Sequence, residues 1–201
     1  QIIMSSAKYK RVLLKLSGEA LIGNKEYGID DSFITELAGQ LTQLHNANVQ
    51  LIIVIGGGNF FRGSDLEKLG IQRVTADHMG MLATVINSLA LQSSIEKLNI
   101  QCRVMSSITI DAVCEKYIKR KAERHLEKNR IVILAGGTGN PFFTTDSAAS
   151  LRAIELGAEI MLKGTKVDGI YDKDPIKHKD ASLYNEISYS DIISKNLAVM
   201  D

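Results

Sequence analysis

Tryptophan is absent, and aromatic residues make up only 5% of the 201 positions. Hydrophobic residues still reach 45%. The core therefore falls to Ile, Leu, Val, Ala and Met, as in a parallel sheet covered by helices on both faces. Neither sign of charge is in excess: 24 Lys+Arg stand against 23 Asp+Glu, for a net charge of +1. That balance gives no whole-molecule field for nucleic acid or an anionic membrane. The basic run Lys119, Arg120, Lys121 and Arg124 reads as a solvated helix face, because a nucleic-acid role needs interleaved aromatics or a wider patch. The two cysteines, Cys102 and Cys114, have neither CxxC nor zinc-site spacing, and read as reduced thiols. The two prolines, Pro141 and Pro175, both fall in predicted loops. No run of about 18 apolar residues occurs. Gln1-Ile2-Ile3 is too short for a signal h-region, and Met4 reads as a natural start. The expected location is the cytoplasm.

Short apolar runs alternate with longer amphipathic ones. Val12-Leu13-Leu14, Leu51 to Ile55, Val104-Met105, Ile131 to Leu134 and Ile160-Met161-Leu162 read as strands. Helices are expected after Asp30-Asp31, where Ile34, Leu37, Ala38, Leu41 and Leu44 recur at helical spacing. Others are expected over Arg73 to Leu98, Tyr117 to Lys128, and Ser147 to Leu156. In the long second helix, Met79, Leu82, Ile86 and Leu89 form the apolar face. This rhythm predicts an α/β fold with a mainly parallel sheet sandwiched between helices. The length fits one domain or a compact two-lobed unit.

The strand ends carry the chemistry. Four predicted strands run into glycine: Lys15-Leu16-Ser17-Gly18, Gly56-Gly57-Gly58-Asn59, Gly136-Gly137-Thr138-Gly139-Asn140 and Lys163-Gly164-Thr165. Ligands of open α/β sheets bind beyond the carboxyl ends of the strands. Glycine lets backbone N–H groups approach phosphate oxygens there, and a following helix adds its positive end. One such loop is an ordinary tight turn. Four on one sheet edge point to nucleotide phosphates. Lys15 and Lys163 each close an apolar strand just before glycine. One lysine so placed would ordinarily snorkel to water; two at the ligand edge face a shared polyanion. Arg62 follows the triple glycine and reads the same way.

Two familiar motifs are excluded. Gly18-x-x-x-x-Gly23-Asn24-Lys25 lacks the Walker lysine and the Ser/Thr after it. The Gly56 and Gly137 runs lack the third glycine of a dinucleotide fingerprint. His45, His78, His125 and His178 all lie outside the glycine loops and read as surface or helix-packing residues. A phosphate acceptor with a second pKa near about 6 is already ionised at pH 7 and needs no general base. Phosphoryl transfer then rests on positioning and charge.

Five segments together resemble the amino acid kinase superfamily and, within it, the bacterial UMP kinases. They are Lys15 to Ala20, Gly56 to Gly63, Ala76 to Thr84, Gly137 to Asp146, and Lys163 to Tyr171 with Asp174-Pro175. The Asp77 segment and the loop from Thr138 to Asp146 are the specific ones. The resemblance implies transfer of the ATP γ-phosphoryl group to UMP, with Mg²⁺ as MgATP, for pyrimidine nucleotide (CTP) biosynthesis. It implies that Lys15, Arg62, Asp146 and Lys163 are catalytic, with Asp146 organising the lysines. Lys15, Leu16, Ser17, Gly18, Gly58, Arg62, Thr165, Tyr171 and Asp174 would meet ATP. Gly57, Asp77, Thr138, Gly139, Asn140, Pro141, Phe142, Phe143, Thr144 and Thr145 would meet UMP.

The resemblance further implies a homohexamer, activated by GTP and inhibited by UTP. Gly23, Asn24, Lys25, Glu26, Tyr27 and Gly28 occupy the position linked to GTP. It implies a flexible extension over 1–10, an acceptor-side lobe over about 11–145 and an ATP-side lobe over about 146–201. Relatives continue beyond Asp201 with elements that finish the sheet. From local chemistry alone, Thr145 and Asp146 read as an N-cap and a first-turn acid. The alternatives are a superfamily member acting on a carboxylate or carbamate, and a nucleotide-sensing module without turnover.

Overall fold

The computed structural model describes residues 7–61, 69–165 and 167–197. It divides into two compact units, one reaching to Gly164 and the other beginning at Thr165. The first holds a six-stranded sheet: β1 (Arg11–Leu16), β2 (Gln50–Ile55), β3 (Cys102–Ser106), β4 (Glu115–Lys116), β5 (Ile131–Ala135) and β6 (Ile160–Gly164). The order is β4-β3-β5-β2-β1-β6, and every pairing is parallel. All six strands therefore end on the same edge. Among the described residues, four helices pack on this sheet: α1 (Asp31–Asn46), α2 (Arg73–Glu96), α3 (Lys119–Glu127) and α4 (Thr145–Glu155). The second unit holds α5 (Tyr189–Ser194) and an antiparallel bridge between Tyr171 and Leu183.

Alternation along the strands sorts the core into two layers. Val12, Leu51, Ile53, Val104, Ile131 and Ile133 pack with Ile34, Leu37 and Leu41 of α1 and with Val85, Leu91 and Ile95 of α2. Leu13, Ile52, Val54, Met105, Val132 and Leu134 pack with Ala122 and Leu126 of α3 and with Ala149 and Ala153 of α4. Lys15 has the parity of Leu13, so it belongs to the α4 side. That placement decides the site.

Several sequence boundaries move. The helix expected over Tyr117 to Lys128 starts at Lys119, and Glu115–Lys116 form the edge strand β4, too short to show a period. α4 starts two residues earlier than expected. Its N-cap is Thr144, whose hydroxyl accepts from the Ser147 amide, whereas Thr145 is the first helical residue. The expected apolar face of α2 is also displaced. Leu82 and Ile86 are each 48% exposed, while Ala83, Thr84, Val85, Asn87 and Ser88 face inward. The physical reason is close approach. A Cβ on Gly57 would lie 2.8 Å from the Ala83 Cβ and from the Gly80 carbonyl. Only small or hydrogen-bonding residues fit where α2 meets the Gly57 loop.

Helix ends follow local chemistry. α1, α2 and α3 are followed by Asn48, Asn99 and Asn129 at φ 62, 61 and 55°, the left-handed stop that Asn tolerates. Asp30 caps α1, accepting from the Ser32 and Phe33 amides and from the Ser32 hydroxyl. It also takes the Asn24 amide, which folds the 23–28 segment against the helix start. Gly23 sits at φ 54°, where a Cβ would fall 2.6 Å from the Asp30 side chain.

Two solution tests follow from these surroundings. The Ser32 hydroxyl, then the Asn24 and Phe33 amides, hold the Asp30 carboxyl far below the usual carboxylate range. Its folded pKa is below the unfolded value of about 4. The stabilisation is complete above that value and is lost as pH falls toward the folded pKa. Wild-type protein should lose thermal stability between pH 5 and 2 more steeply than Asp30→Asn; parallel profiles would contradict the assignment. Separately, burial, with Glu96 nearby, pushes the Cys102 thiol up to about 12. Half-buried Cys114 is raised too, by burial and then Asp111. Iodoacetamide at pH 8 should label Cys114 ahead of Cys102 in the native state and both after unfolding. Equal native labelling would be inconsistent with this core.

Candidate active site

The parallel register of β1 and β6 sets Lys15 directly beside Lys163. Adjacent strands lie about 4.8 Å apart, so two ammonium groups are brought together near the sheet's carboxyl edge. Asp146, in the first turn of α4, meets both. Its Oδ1 lies 2.6 Å from Lys15 Nζ and its Oδ2 lies 2.6 Å from Lys163 Nζ. Lys15 and Asp146 are 3% and 1% exposed, while Lys163 keeps 24%. Buried charge is tolerated only when closely paired. Here one carboxylate offsets the repulsion of two cations and aligns them, and Lys163 stays open to solvent.

Around this trio the strand-end loops approach at backbone distance. The Gly56 amide donates to the Leu16 carbonyl at 3.0 Å. A Cβ on Gly18 would strike the Gly56 carbonyl and fall 2.8 Å from the Gly58 nitrogen. Gly18 and Gly56 to Gly58 therefore form one tight double loop beside Lys15. Leu16 ends β1, and Ser17 caps the 3-10 turn Gly18–Ile22 without a side-chain bond.

Polar groups on α2 reach the loops. Asn87 Nδ2 donates to the Gly56 carbonyl at 2.8 Å and to Asn59 Oδ1 at 2.7 Å. Asn59 Nδ2 returns a bond to Asn87 Oδ1 and another to the Gly28 carbonyl, both at 2.9 Å. Both amides are buried, and all four of their N–H donors are used. Thr84 Oγ1 accepts from the Gly136 amide at 2.8 Å. Asp77 Oδ2 accepts from the Phe142 amide at 2.7 Å, and its Oδ1 accepts from Arg73 Nε at 2.9 Å.

The 136–145 loop is also held from the other side. Ser107 Oγ donates to the Gly137 carbonyl at 2.8 Å and accepts from Arg152 Nη2 at 2.9 Å. Arg152 lies over the Tyr117 ring at 3.9 Å and pairs with Glu155 at 2.6 Å. Tyr117 donates its hydroxyl to the same carboxylate. Burial and the Glu155 bond raise the Tyr117 phenol. Burial pulls Glu155 upward, but the bonds from Arg152 and Tyr117 outweigh it and leave its carboxyl lowered. Within the loop, Thr138 Oγ1 accepts from the Asn140 amide. Gly139 and Phe142 take φ of 84 and 69°. Phe142 and Phe143 are 66% and 61% exposed, beyond Pro141, so their rings face solvent.

The structure thus brings together Lys15, Asp146 and Lys163, the double loop of Gly18 with Gly57 and Gly58, and the Asp77–Phe142 pair. Thr165, Tyr171 and Asp174 belong to the second unit. There Thr165 Oγ1 bonds the Val167 carbonyl, Tyr171 bridges Leu183, and Asp174 Oδ1 accepts from the Ile176 amide. Arg62 lies outside the described residues. Sequence reasoning assigned no role to Asn87, Ser107 or Arg152, and gave Asn59 and Thr84 none beyond the motifs containing them. The available signal was a polar residue at a core-facing helix position, as at Asn87.

The chain resembles known proteins in sequence and in structure. The profile of the Amino acid kinase family matches residues 10–200. The protein named Uridylate kinase of Xanthomonas campestris pv. campestris is 59% identical over 98% of this chain and 82% of its own length. The crystal structure of UMP kinase from Bacillus anthracis superposes with a TM-score of 0.92 at 42% identity, over 96% of this chain and 80% of that one. UMP kinase from Ureaplasma parvum gives 0.91 at 38% identity, over 97% and 83%. The match runs through every strand end described above, and this chain belongs to the amino acid kinase family.

Proposed function

We propose that this protein transfers the γ-phosphoryl group of ATP to the phosphate of UMP, giving ADP and UDP, as a step of pyrimidine nucleotide synthesis toward CTP. The observation that carries the chemistry is the Lys15–Asp146–Lys163 trio at the glycine-lined edge of the sheet, with Lys15 and Asp146 buried and Lys163 open to solvent. The choice of acceptor is supported by the Uridylate kinase relative at 59% identity.

The chemistry asks little of the protein beyond placement and charge. A phosphate oxygen of UMP, ionised at pH 7, attacks the γ-phosphorus, and the bond from that phosphorus to the β,γ-bridging oxygen breaks. The electron pair leaves with ADP, so no proton has to move. Lys15 and Lys163 neutralise charge on the transferring group and the leaving oxygen, and Asp146 keeps both ammonium groups aimed. Leu16, Ser17, Gly18 and Gly58 would line the ATP phosphates beside Arg62, with Thr165, Tyr171 and Asp174 on the adenosine side. Gly57 would meet the UMP phosphate, Asp77 the ribose hydroxyls, and Thr138 to Thr145 the uridine.

Mg²⁺ would arrive on the ATP phosphates, which it usually binds with few protein ligands, and would neutralise phosphate charge there. No group of three His, Cys, Asp or Glu side chains among the described residues could hold a metal by itself. Both Asp146 oxygens face lysine.

A lobe over about 11–145 would serve the acceptor and one over about 146–201 would serve ATP, after a flexible extension over 1–10. We further propose a cytoplasmic homohexamer with GTP as activator and UTP as inhibitor. Exposed Leu82 and Ile86 on α2 are the surface that supports association. The 23–28 segment supports the regulatory reading, because the Gly28 amide and carbonyl both bond Asn59 at the end of the phosphate loop.

A coupled assay for ADP formation should show turnover with UMP and none with acetylglutamate, glutamate, aspartate or carbamate. Absence of UMP-dependent turnover would overturn the proposal. Lys163→Ala and Arg62→Ala should each lose roughly 10²–10³-fold in kcat, as for removal of one transition-state donor. Wild-type rates would remove those residues from the mechanism. Asp146→Ala should cost about 3–5 kcal/mol in urea unfolding, because it strips the carboxylate from a buried pair. A loss under about 1 kcal/mol, the range of a surface pair, would rule out a closely held trio.

A further inference from the structure

We infer that Thr84 is a positioning residue for the acceptor loop: its hydroxyl fixes Gly136 relative to the phosphate loop that Asn87 holds. The inference rests on the kinase reading above and assigns a role to a side chain that need touch neither nucleotide.

Gly56 continues β2, Gly136 continues β5, and the two strands are neighbours. Their carboxyl ends therefore lie one strand spacing apart, about 4.8 Å. On a helix, side chains three residues apart are separated by about 5–6 Å. Thr84 and Asn87 have that spacing on α2. The helix crosses the strand ends closely enough that a Cβ on Gly57 would collide with the Gly80 carbonyl. One rigid helix thus grips two adjacent loops, the Gly136 amide through Thr84 and the Gly56 carbonyl through Asn87.

The Thr84 hydroxyl is itself oriented. It donates to the Met81 carbonyl at 2.6 Å, which leaves its lone pairs for the Gly136 amide. Thr84 is 4% exposed, so no water replaces it readily. Gly136 has no slack, since at φ 76° a Cβ would lie 2.9 Å from Ser106 Oγ. Removing the hydroxyl would leave a buried amide without its acceptor and free the start of the loop that carries the proposed UMP contacts.

The test compares Thr84→Val, nearly the same shape without the hydroxyl, with Thr84→Ser, which retains it. Misplacement by about 1 Å can cost 10²-fold. Thr84→Val should therefore lower kcat at least about 10-fold and raise KM for UMP, leaving KM for ATP within about twofold. Thr84→Ser should return kcat to within about threefold of wild type. Hydrogen exchange supplies a readout independent of turnover: the Gly136 amide should exchange faster in Thr84→Val than in Thr84→Ser, with β1 amides unchanged. Should Thr84→Val not fold, Thr84→Ala carries the same comparison. Wild-type kinetics in the hydroxyl-free variant, equal losses in both variants, or unchanged Gly136 exchange would each overturn the role. If the wild type itself lacks UMP-dependent turnover, the kinase reading fails, and Gly136 exchange still decides whether Thr84 holds the loop.

Discussion

The carboxylate of Asp146 between two lysine ammonium groups is the constraint on which the rest of the site depends. Lys15 and Lys163 are neighbours because β1 and β6 pair in parallel register, and like charges at strand spacing repel. Asp146 offsets that repulsion only if α4 begins at the strand ends. It does so because Thr144 caps it there and because Ala148, Ala149 and Ala153 let it sit close to the sheet. A longer side chain at any of those alanines would lift the helix and draw the carboxylate away. The packing of a helix and the placement of charge are one arrangement.

The two glycine loops are held by quite different means. The Gly56 to Gly58 loop is held by backbone contact with β1 and by a closed pair of buried amides, Asn59 and Asn87. The 136–145 loop is gripped from both faces of the sheet, by Thr84 of α2 on one side and by Ser107 and Arg152 on the other. Arg152 lies on the same helix as Asp146. Asp146, which pairs with both lysines, and Arg152, which supports the 136–145 loop through Ser107, therefore share one rigid element. A shift of α4 would disturb both together.

Much of this was legible locally. Apolar runs ending in glycine marked the strands and their ligand edge. The lysines that interrupt those runs stood out because buried cations are expensive. Asp146 read as a first-turn acid, and Asp30-Asp31 as the acidic start of a helix, from position alone. What was hidden is non-local. Nothing near Lys15 in the chain reveals that Lys163 is its register partner. The α2 stripe of Leu82 and Ile86 was easy to see and faces outward, whereas the face that meets the glycine loops carries small and polar residues that mimic a weak helix. Arg152, in mid-helix beside Glu155, resembles an ordinary solvated pair until Tyr117 and Ser107 enclose it. β4 is two residues long, below any readable period. Thr144 and Thr145 are adjacent threonines, and only the backbone decides which one caps.

The strand order has a consequence for how the chain comes together. β1 is made first, yet it sits between β2 and β6, and β6 begins only at Ile160. During synthesis one edge of β1 waits, unpaired, for nearly the whole first unit to emerge. Until then Lys15 has neither its strand neighbour nor Asp146, and an apolar strand end remains accessible to other chains. A charge that is buried against Asp146 in the finished protein sits, in the nascent one, beside an open edge, where charged side chains discourage the wrong pairing. The same lysine thereby guards an open strand edge before it has a carboxylate to pair with.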